Sequence, residues 1–424
     1  MSKSNEYSVT EAGTLMAAGK LSAVQLAEDC LARVEQREQD VQAWAYIDAQ
    51  HLLAQARASD RQPRRGPLHG IPFAAKDIID TADMPTEYGS PIYAGHRPQT
   101  DAACVAMLKN AGALVMGKAV TVEFAARYPG KTRNPHNTAH TPGGSSSGSA
   151  AAVADFMVPL ALGTQTGGSV IRPSAFCGIV GFKPSFNLIN RAGVKPNSES
   201  LDTVGIMART VPDAALMFSI LTAQIAPDFG TLSNPRIGFC RTPQWQHADQ
   251  ATATALEAAL PRLVKAGARV TEVALPEKFD DVVKAQGVLS DYELSRALAY
   301  ERLTFSSKIS STLNKKLAQS DKRTCDEYIV ARKLLSECRK LLDDVFTDFD
   351  ILLAPSAPGE APAGLETTGN SIFNRMWTAL YVPAVTVPVF TGSSGLPIGA
   401  QLIGRFGMDH KTLVHAEWVR RALT

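Results

Sequence analysis

Long apolar runs are missing from this chain of 424 residues. The longest nearly apolar stretch, Ala150 to Leu162, is interrupted by Asp155 and falls short of the roughly 20 residues a membrane-spanning helix needs. The start, Met-Ser-Lys-Ser-Asn-Glu-Tyr, lacks the apolar core of a secretory signal. Paired cysteines are missing as well. Cys30, Cys104, Cys177, Cys240, Cys325 and Cys338 are scattered with no CxxC pair, which argues against a zinc cluster or a disulfide framework and suits a reducing compartment. Charge of one sign is scarce: the formal net charge is +2, and no Lys/Arg stripe with interleaved aromatics occurs, so no nucleic-acid partner is expected. The short basic run Arg61 to Arg65, around Pro63, reads as a solvated loop. Together these absences predict a cytoplasmic protein with no membrane contact.

What is present is an ordinary globular composition, 45% hydrophobic and 20% charged. Ser22 followed by Ala-Val-Gln-Leu-Ala-Glu-Asp-Cys-Leu-Ala-Arg-Val predicts a capped amphipathic helix. Gly70 to Ile79 reads as a turn and strand, Asp101 to Ala111 as a helix, and Ala113 to Gly117 as the strand behind it. Further strands are expected at Val158–Gly163, Arg236–Cys240, Val270–Ala274, Asp350–Ala354, Pro383–Pro388 and Gly395–Gly404, with long helices between Asp281 and Phe349. Alternation of this kind predicts an α/β protein. No linker or repeat interrupts it, so one domain is expected over residues 1–424.

Three segments carry chemistry. Gly167-Gly168-Ser169 can present successive backbone N–H groups in a tight turn, because glycine tolerates conformations that other residues resist. A serine there could attack a carbonyl whose oxygen sits over the amides of Thr166, Gly167 and Gly168, an oxyanion hole. A phosphate-binding nest or a plain turn fits the same residues. The second segment, Gly143-Gly-Ser-Ser-Ser-Gly-Ser149, enters a helix near Ala150 with Ser147 or Ser149 as its expected cap. It satisfies G-x-S-x-G with Ser146 as elbow serine, but the residues before it are loop-like, and only His410 and His415 could serve as a late histidine. The third is Lys76 in Gly70-Ile-Pro-Phe-Ala-Ala-Lys76-Asp77. A serine nucleophile needs a base, and of the eight histidines only His136 and His140 lie near either serine cluster. A buried lysine, its charged form penalised, can do that work; a solvated strand end is the plainer alternative for Lys76.

Other signals point nowhere in particular. Gly112-Ala-Leu-Val-Met-Gly117-Lys118-Ala119 nearly matches a phosphate-cradling loop, but Ala119 stands where its Ser/Thr belongs and Ala113 to Met116 reads as strand. His136 and His140 lie in a Pro/Asn/Thr-rich loop without the glutamate of a zinc helix. Cys177 reads as a packed thiol.

Taken together, Gly70-Ile-Pro…Lys76-Asp77, Gly143 to Ala154, Gly163-Thr-Gln-Thr-Gly-Gly-Ser-Val-Ile-Arg-Pro-Ser-Ala-Phe-Cys-Gly178 and Gly181-Phe-Lys-Pro-Ser185 resemble the amidase signature family. The resemblance runs from about residue 20 to 405, with its core at about 65–210. It implies a central mixed β-sheet covered on both sides by helices, and no cofactor or metal. It implies Ser169 as nucleophile, Ser145 as bridging serine after a cis peptide at Gly144, Lys76 as base, and Asp202 as support. The helices at about 281–349 are expected to form much of the acyl pocket. Departures are Gln165 where many members have Asp, Gly205-Ile206 in place of Gly-Pro, and Tyr381-Val-Pro-Ala in the late motif. They speak against the tRNA-linked amidotransferase component, and Gln165-Thr-Gly-Gly-Ser-Val-Ile-Arg172 with Asn134-Pro-His-Asn-Thr-Ala-His140 looks more like the malonamidase branch, in which Arg172 would grip a substrate carboxylate; a structural salt bridge is the alternative for Arg172. The expectation is hydrolysis of a small, carboxylate-bearing amide by a protein that pairs with a second copy of itself. The alternative is an amidotransferase A-type subunit hydrolysing glutamine in a complex.

Overall fold

The computed structural model describes residues 3–126, 128–230, 232 and 234–424. Met1 and Ser2, where the reading of the start begins, lie outside them. Its frame is a sheet of eleven strands: β1 (Trp44–Ile47), β2 (Pro72–Lys76), β3 (Leu114–Ala119), β4 (Leu160–Gln165), β5 (Val180–Lys183), β6 (Thr203–Ala208), β7 (Arg236–Phe239), β8 (Arg269–Glu272), β9 (Ile351–Pro355), β10 (Ala384–Thr391) and β11 (Pro397–Ile403). Their order is β1-β3-β2-β4-β6-β5-β10-β11-β9-β7-β8, with β3-β2-β4 and β9-β7-β8 mutually parallel and the other neighbours antiparallel. The sheet is mixed and flanked by helices, so the expected α/β architecture stands.

Residues of β2, β3 and β4 are buried throughout. Strands covered on both faces read as near-continuous apolar runs, and Pro72 is tolerated because it opens its strand. The Ala23–Val41 helix begins at the expected cap, Ser22, whose side chain accepts from Gln25 N. The Ser147–Ala154 helix is built from Ser, Gly, Ala and Val alone, and residues this small let it lie close against β2, β3 and β4. Its N-cap is Ser146, not Ser147 or Ser149. Those two hydroxyls instead bond the carbonyls of Val120 and Leu162, tying the helix to the strands beside it.

The expected helices between 281 and 349 are present as Val282–Ala297, Ala299–Phe305, Ser311–Ser320 and Cys325–Val345. With the Ile372–Ala379 helix, the first and last of these bury a second apolar cluster around Leu289, Leu335, Met376 and Trp377 against Leu352, Ala354 and Ile403 of the sheet. No helix among the described residues is long and apolar enough to cross a membrane.

Candidate active site

Because β2 and β4 are parallel neighbours, with Ala75 opposite Leu162, their C-terminal ends emerge on the same edge. In α/β sheets this is where sites are built. Lys76 ends β2, and its side chain is completely buried. Its Nζ lies 2.7 Å from Ser145 Oγ and 2.7 Å from Thr164 Oγ1. Both partners are hydroxyls, so nothing in contact compensates a positive charge. Burial pushes the Lys76 pKa from 10.5 down to about 7, with the Asp202 carboxylate pulling weakly the other way. Ser145 follows a cis Gly144–Ser145 peptide bond, as the family resemblance implied. The adjacent Ser146 turns away from the site. Its Oγ accepts from Thr164 N at 3.2 Å and donates to Thr164 O at 3.3 Å. That excludes Ser146 as an elbow nucleophile, and its two late histidines are engaged elsewhere: His410 with Ser219 and His415 with the Lys411 carbonyl.

Thr166, Gly167, Gly168, Ser169 and Arg172 line a cleft of about 360 Å³. Ser169 is half-buried at the turn between β4 and the Ile171–Phe176 helix. The turn is tightly braced. Thr166 Oγ1 donates to Asp202 Oδ1 at 2.5 Å, while Asp202 Oδ2 accepts from Asn197 N and Ser198 N at 2.8 and 2.9 Å. Burial raises the Asp202 pKa against these hydrogen bonds. The Gln165 carboxamide accepts from Val170 N and Ile171 N at 2.9 and 3.0 Å and donates to Thr378 Oγ1 at 2.9 Å. Only glycine fits at 168, since a Cβ there would lie 2.4 Å from Asn374 Oδ1.

Arg172 reaches across the site. Its Nη2 donates to Gly144 O at 2.6 Å and Thr368 Oγ1 at 3.0 Å, and its Nη1 to Gly369 O at 3.2 Å. It therefore holds the backbone ahead of Ser145 while lining the cleft. Of the expected pocket helices, Val282–Ala297 supplies Gln286, Gly287, Ser290, Asp291 and Leu294 to the wall, and Ser311–Ser320 supplies Thr312 and Lys316. The segment Glu366–Ser371 and Arg375 add to it, with Ala125, Ala126 and Asn197. Sequence reading missed Thr164, Gln286, Glu366, Arg375 and Thr378. Only Thr164, inside the signature run Gly163-Thr-Gln-Thr-Gly-Gly-Ser169, left a trace in the sequence that could have been noticed.

The discounted segments are structural. Lys118 is buried in β3, donates to Ile79 O at 2.6 Å and lies 3.5 Å from Asp77. Cys177 Sγ faces Pro142 O in the core, and burial pushes its thiol pKa well up. His136 and His140 bond the carbonyls of Cys177 and Ala361.

The amidase family model matches residues 25–413. The A-type component of the glutamyl-tRNA(Gln) amidotransferase of Chloroflexus aggregans is 33% identical, covering 98% of this chain and 96% of that one. A crystal structure of an amidase superimposes with a TM-score of 0.91 at 30% identity, covering 99% of this chain and all of that one. The native peptide amidase of Stenotrophomonas maltophilia does so with a TM-score of 0.84 at 30% identity, covering 99% of this chain and 97% of that one. The edge at which Lys76 meets Ser145, and from which β4 runs on into the Ser169 turn, thus lies inside a match that spans nearly the whole chain, and the chain belongs to the amidase signature family, as a hydrolase of amide C–N bonds.

Proposed function

We propose that Ser169 is the nucleophile of an acyl-transfer hydrolysis in which Lys76 is the base and Ser145 the proton relay. The observation that carries this is a wholly buried lysine, its pKa near 7, bonded at 2.7 Å to the hydroxyl of Ser145. Neutral Lys76 takes the proton of Ser145 Oγ as Ser145 takes that of Ser169 Oγ, and Ser169 attacks the amide carbonyl. The oxyanion forms over the amides of Thr166, Gly167 and Gly168. Its collapse expels ammonia or an amine, which receives the proton back through Ser145. Water then attacks the acyl-enzyme by the same relay and releases the acid.

For the substrate, the amidotransferase relative supports the second reading of the sequence over the first. The amide is then that of glutamine, and the protein works beside partner chains. The cleft suits such a molecule, because it brings Arg172 and Arg375 together with Asp291 and Glu366. Glutamine offers a carboxylate to the arginines and an ammonium to Glu366, Asp291 being already paired with Lys316 and Arg323. A malonamate-like acid offers only the carboxylate, and the comparisons lend the malonamidase branch no particular support.

Ammonia release from L-glutamine, malonamate and a neutral amide of similar size separates the readings. Faster release from glutamine supports the proposal. Faster release from malonamate restores the small-acid amidase, and preference for the neutral amide overturns both. Loss of fluorophosphonate labelling in Ser169→Ala checks the nucleophile.

A further inference from the structure

An oxyanion hole made of backbone amides is only as good as the orientation of its peptide planes. In a trans peptide the C=O and the following N–H lie in one plane and point in opposite directions. Holding the carbonyl therefore aims the amide. Two such carbonyls are held in the turn before Ser169, by side chains more than a hundred residues away. Gln286 Nε2 donates to Thr166 O at 3.0 Å, and so fixes the plane that carries the Gly167 N–H. Thr378 Oγ1 donates to Gly167 O at 2.8 Å, and so fixes the plane that carries the Gly168 N–H.

Each clamp is itself oriented. Arg375 Nε donates to Gln286 Oε1 at 2.6 Å, which leaves the NH₂ end of that carboxamide to face Thr166 O. Gln165 Nε2 donates to Thr378 Oγ1, which leaves the threonine proton for a carbonyl. Gly167 O at 2.8 Å is nearer than Asn374 O at 3.1 Å. A carboxylate at 165 could accept from Val170 and Ile171 but could not supply that donor.

We propose that Gln286 and Thr378 are positioning residues that pre-orient the Gly167 and Gly168 amides for the oxyanion, with Arg375 and Gln165 setting the direction of each clamp. The proposal rests on Ser169 being the nucleophile. Preorganised donors act without reorganisation in the transition state, so a loosened plane lowers the rate of reaction and leaves ground-state binding alone.

The test measures kcat and KM for the best amide above, together with the rate of fluorophosphonate labelling, in Thr378→Val, Thr378→Ser and Gln286→Leu. Removing a donor outright costs roughly 10²–10³ in rate, so Thr378→Val and Gln286→Leu should each lower kcat and labelling together by about ten- to a hundredfold, with KM held within about twofold. Thr378→Ser, which keeps the hydroxyl, should stay near the wild type. A Gln286→Leu protein that keeps full kcat, or that loses only KM as a direct substrate contact would, overturns the proposal. Should Thr378→Val lose its cooperative melt, Gln286→Leu alone decides. Wild-type protein that the fluorophosphonate does not label overturns the Ser169 reading itself; labelled wild type with an undiminished Gln286→Leu overturns only the clamps.

Discussion

Lys76 and Lys118 stand on neighbouring strands of one sheet, both completely buried, and differ in what they touch. Lys76 meets two hydroxyls and no acid; Lys118 meets the hydroxyl of Thr86 and the carbonyl of Ile79, with the carboxylate of Asp77 beside it. Burial depresses both, to about 7 and about 8 respectively. It also lifts Asp77 to about 6. Depth alone therefore does not make a base. A lysine whose contacts are neutral can exist without its proton at physiological pH and trade it with a hydroxyl. A lysine paired with an acid is held in its charged form to keep that acid company, and becomes architecture.

The strongest way to break this contrast is to remove each lysine in turn. Lys76→Ala is expected to lower kcat/KM by about 10²–10⁴, the usual worth of a general base, without lowering the melting temperature. Turnover near that of the wild type would end its role. Lys118→Met should do the reverse. It strands the buried Asp77 and should lower the unfolding free energy in urea by about 3–5 kcal/mol, while Asp77→Asn combined with Lys118→Met should recover most of that loss. A Lys118→Met protein as stable as the wild type would show the pair to be dispensable.

Titration sharpens the same contrast. Activity should rise through about pH 7 and then level, as Lys76 gives up its proton. For stability, the folded Lys76 sheds its proton near 7 whereas the unfolded lysine keeps it to 10.5, so between these values the unfolded chain binds more protons. Raising the pH across that window should therefore stabilise the wild type relative to Lys76→Met. A constant gap between the two proteins from pH 7 to 10 would mean that Lys76 is not depressed. The smallest effect is expected at Arg172. Arg172→Lys keeps the charge but loses the planar fork, and should slow carboxylate-bearing amides about tenfold more than neutral ones. An equal loss on both would leave Arg172 its bonds to Gly144 O, Thr368 Oγ1 and Gly369 O but no part in gripping the substrate.

Much of this is legible in the chain. Lys76, Ser145 and the Gly167-Gly168-Ser169 turn are local patterns, and the parallel strands that bring them together are short apolar runs with clear boundaries. β5 and β6 are not legible, since Gly181 and Gly205 dilute their pattern and their place in the sheet comes from pairing with β10 and β4. The Ser147 hydroxyl does not cap its helix because the Val120 carbonyl just past β3, invisible from the local sequence, competes for it. What separates Lys76 from Lys118 is hidden too: both precede or follow small apolar residues, and their partners are set by tertiary contact. The Gln286 and Thr378 bonds join residues 120 and 211 positions apart, beyond the reach of any motif.

The placement of Gln286 has a consequence for anyone who would re-engineer this protein. The Val282–Ala297 helix both lines the cleft and grips the turn before Ser169. Grafting that helix from a relative with a wanted taste in amides would import selectivity and export speed in the same step, unless the donor's helix brings an amide side chain to the spot Gln286 occupies.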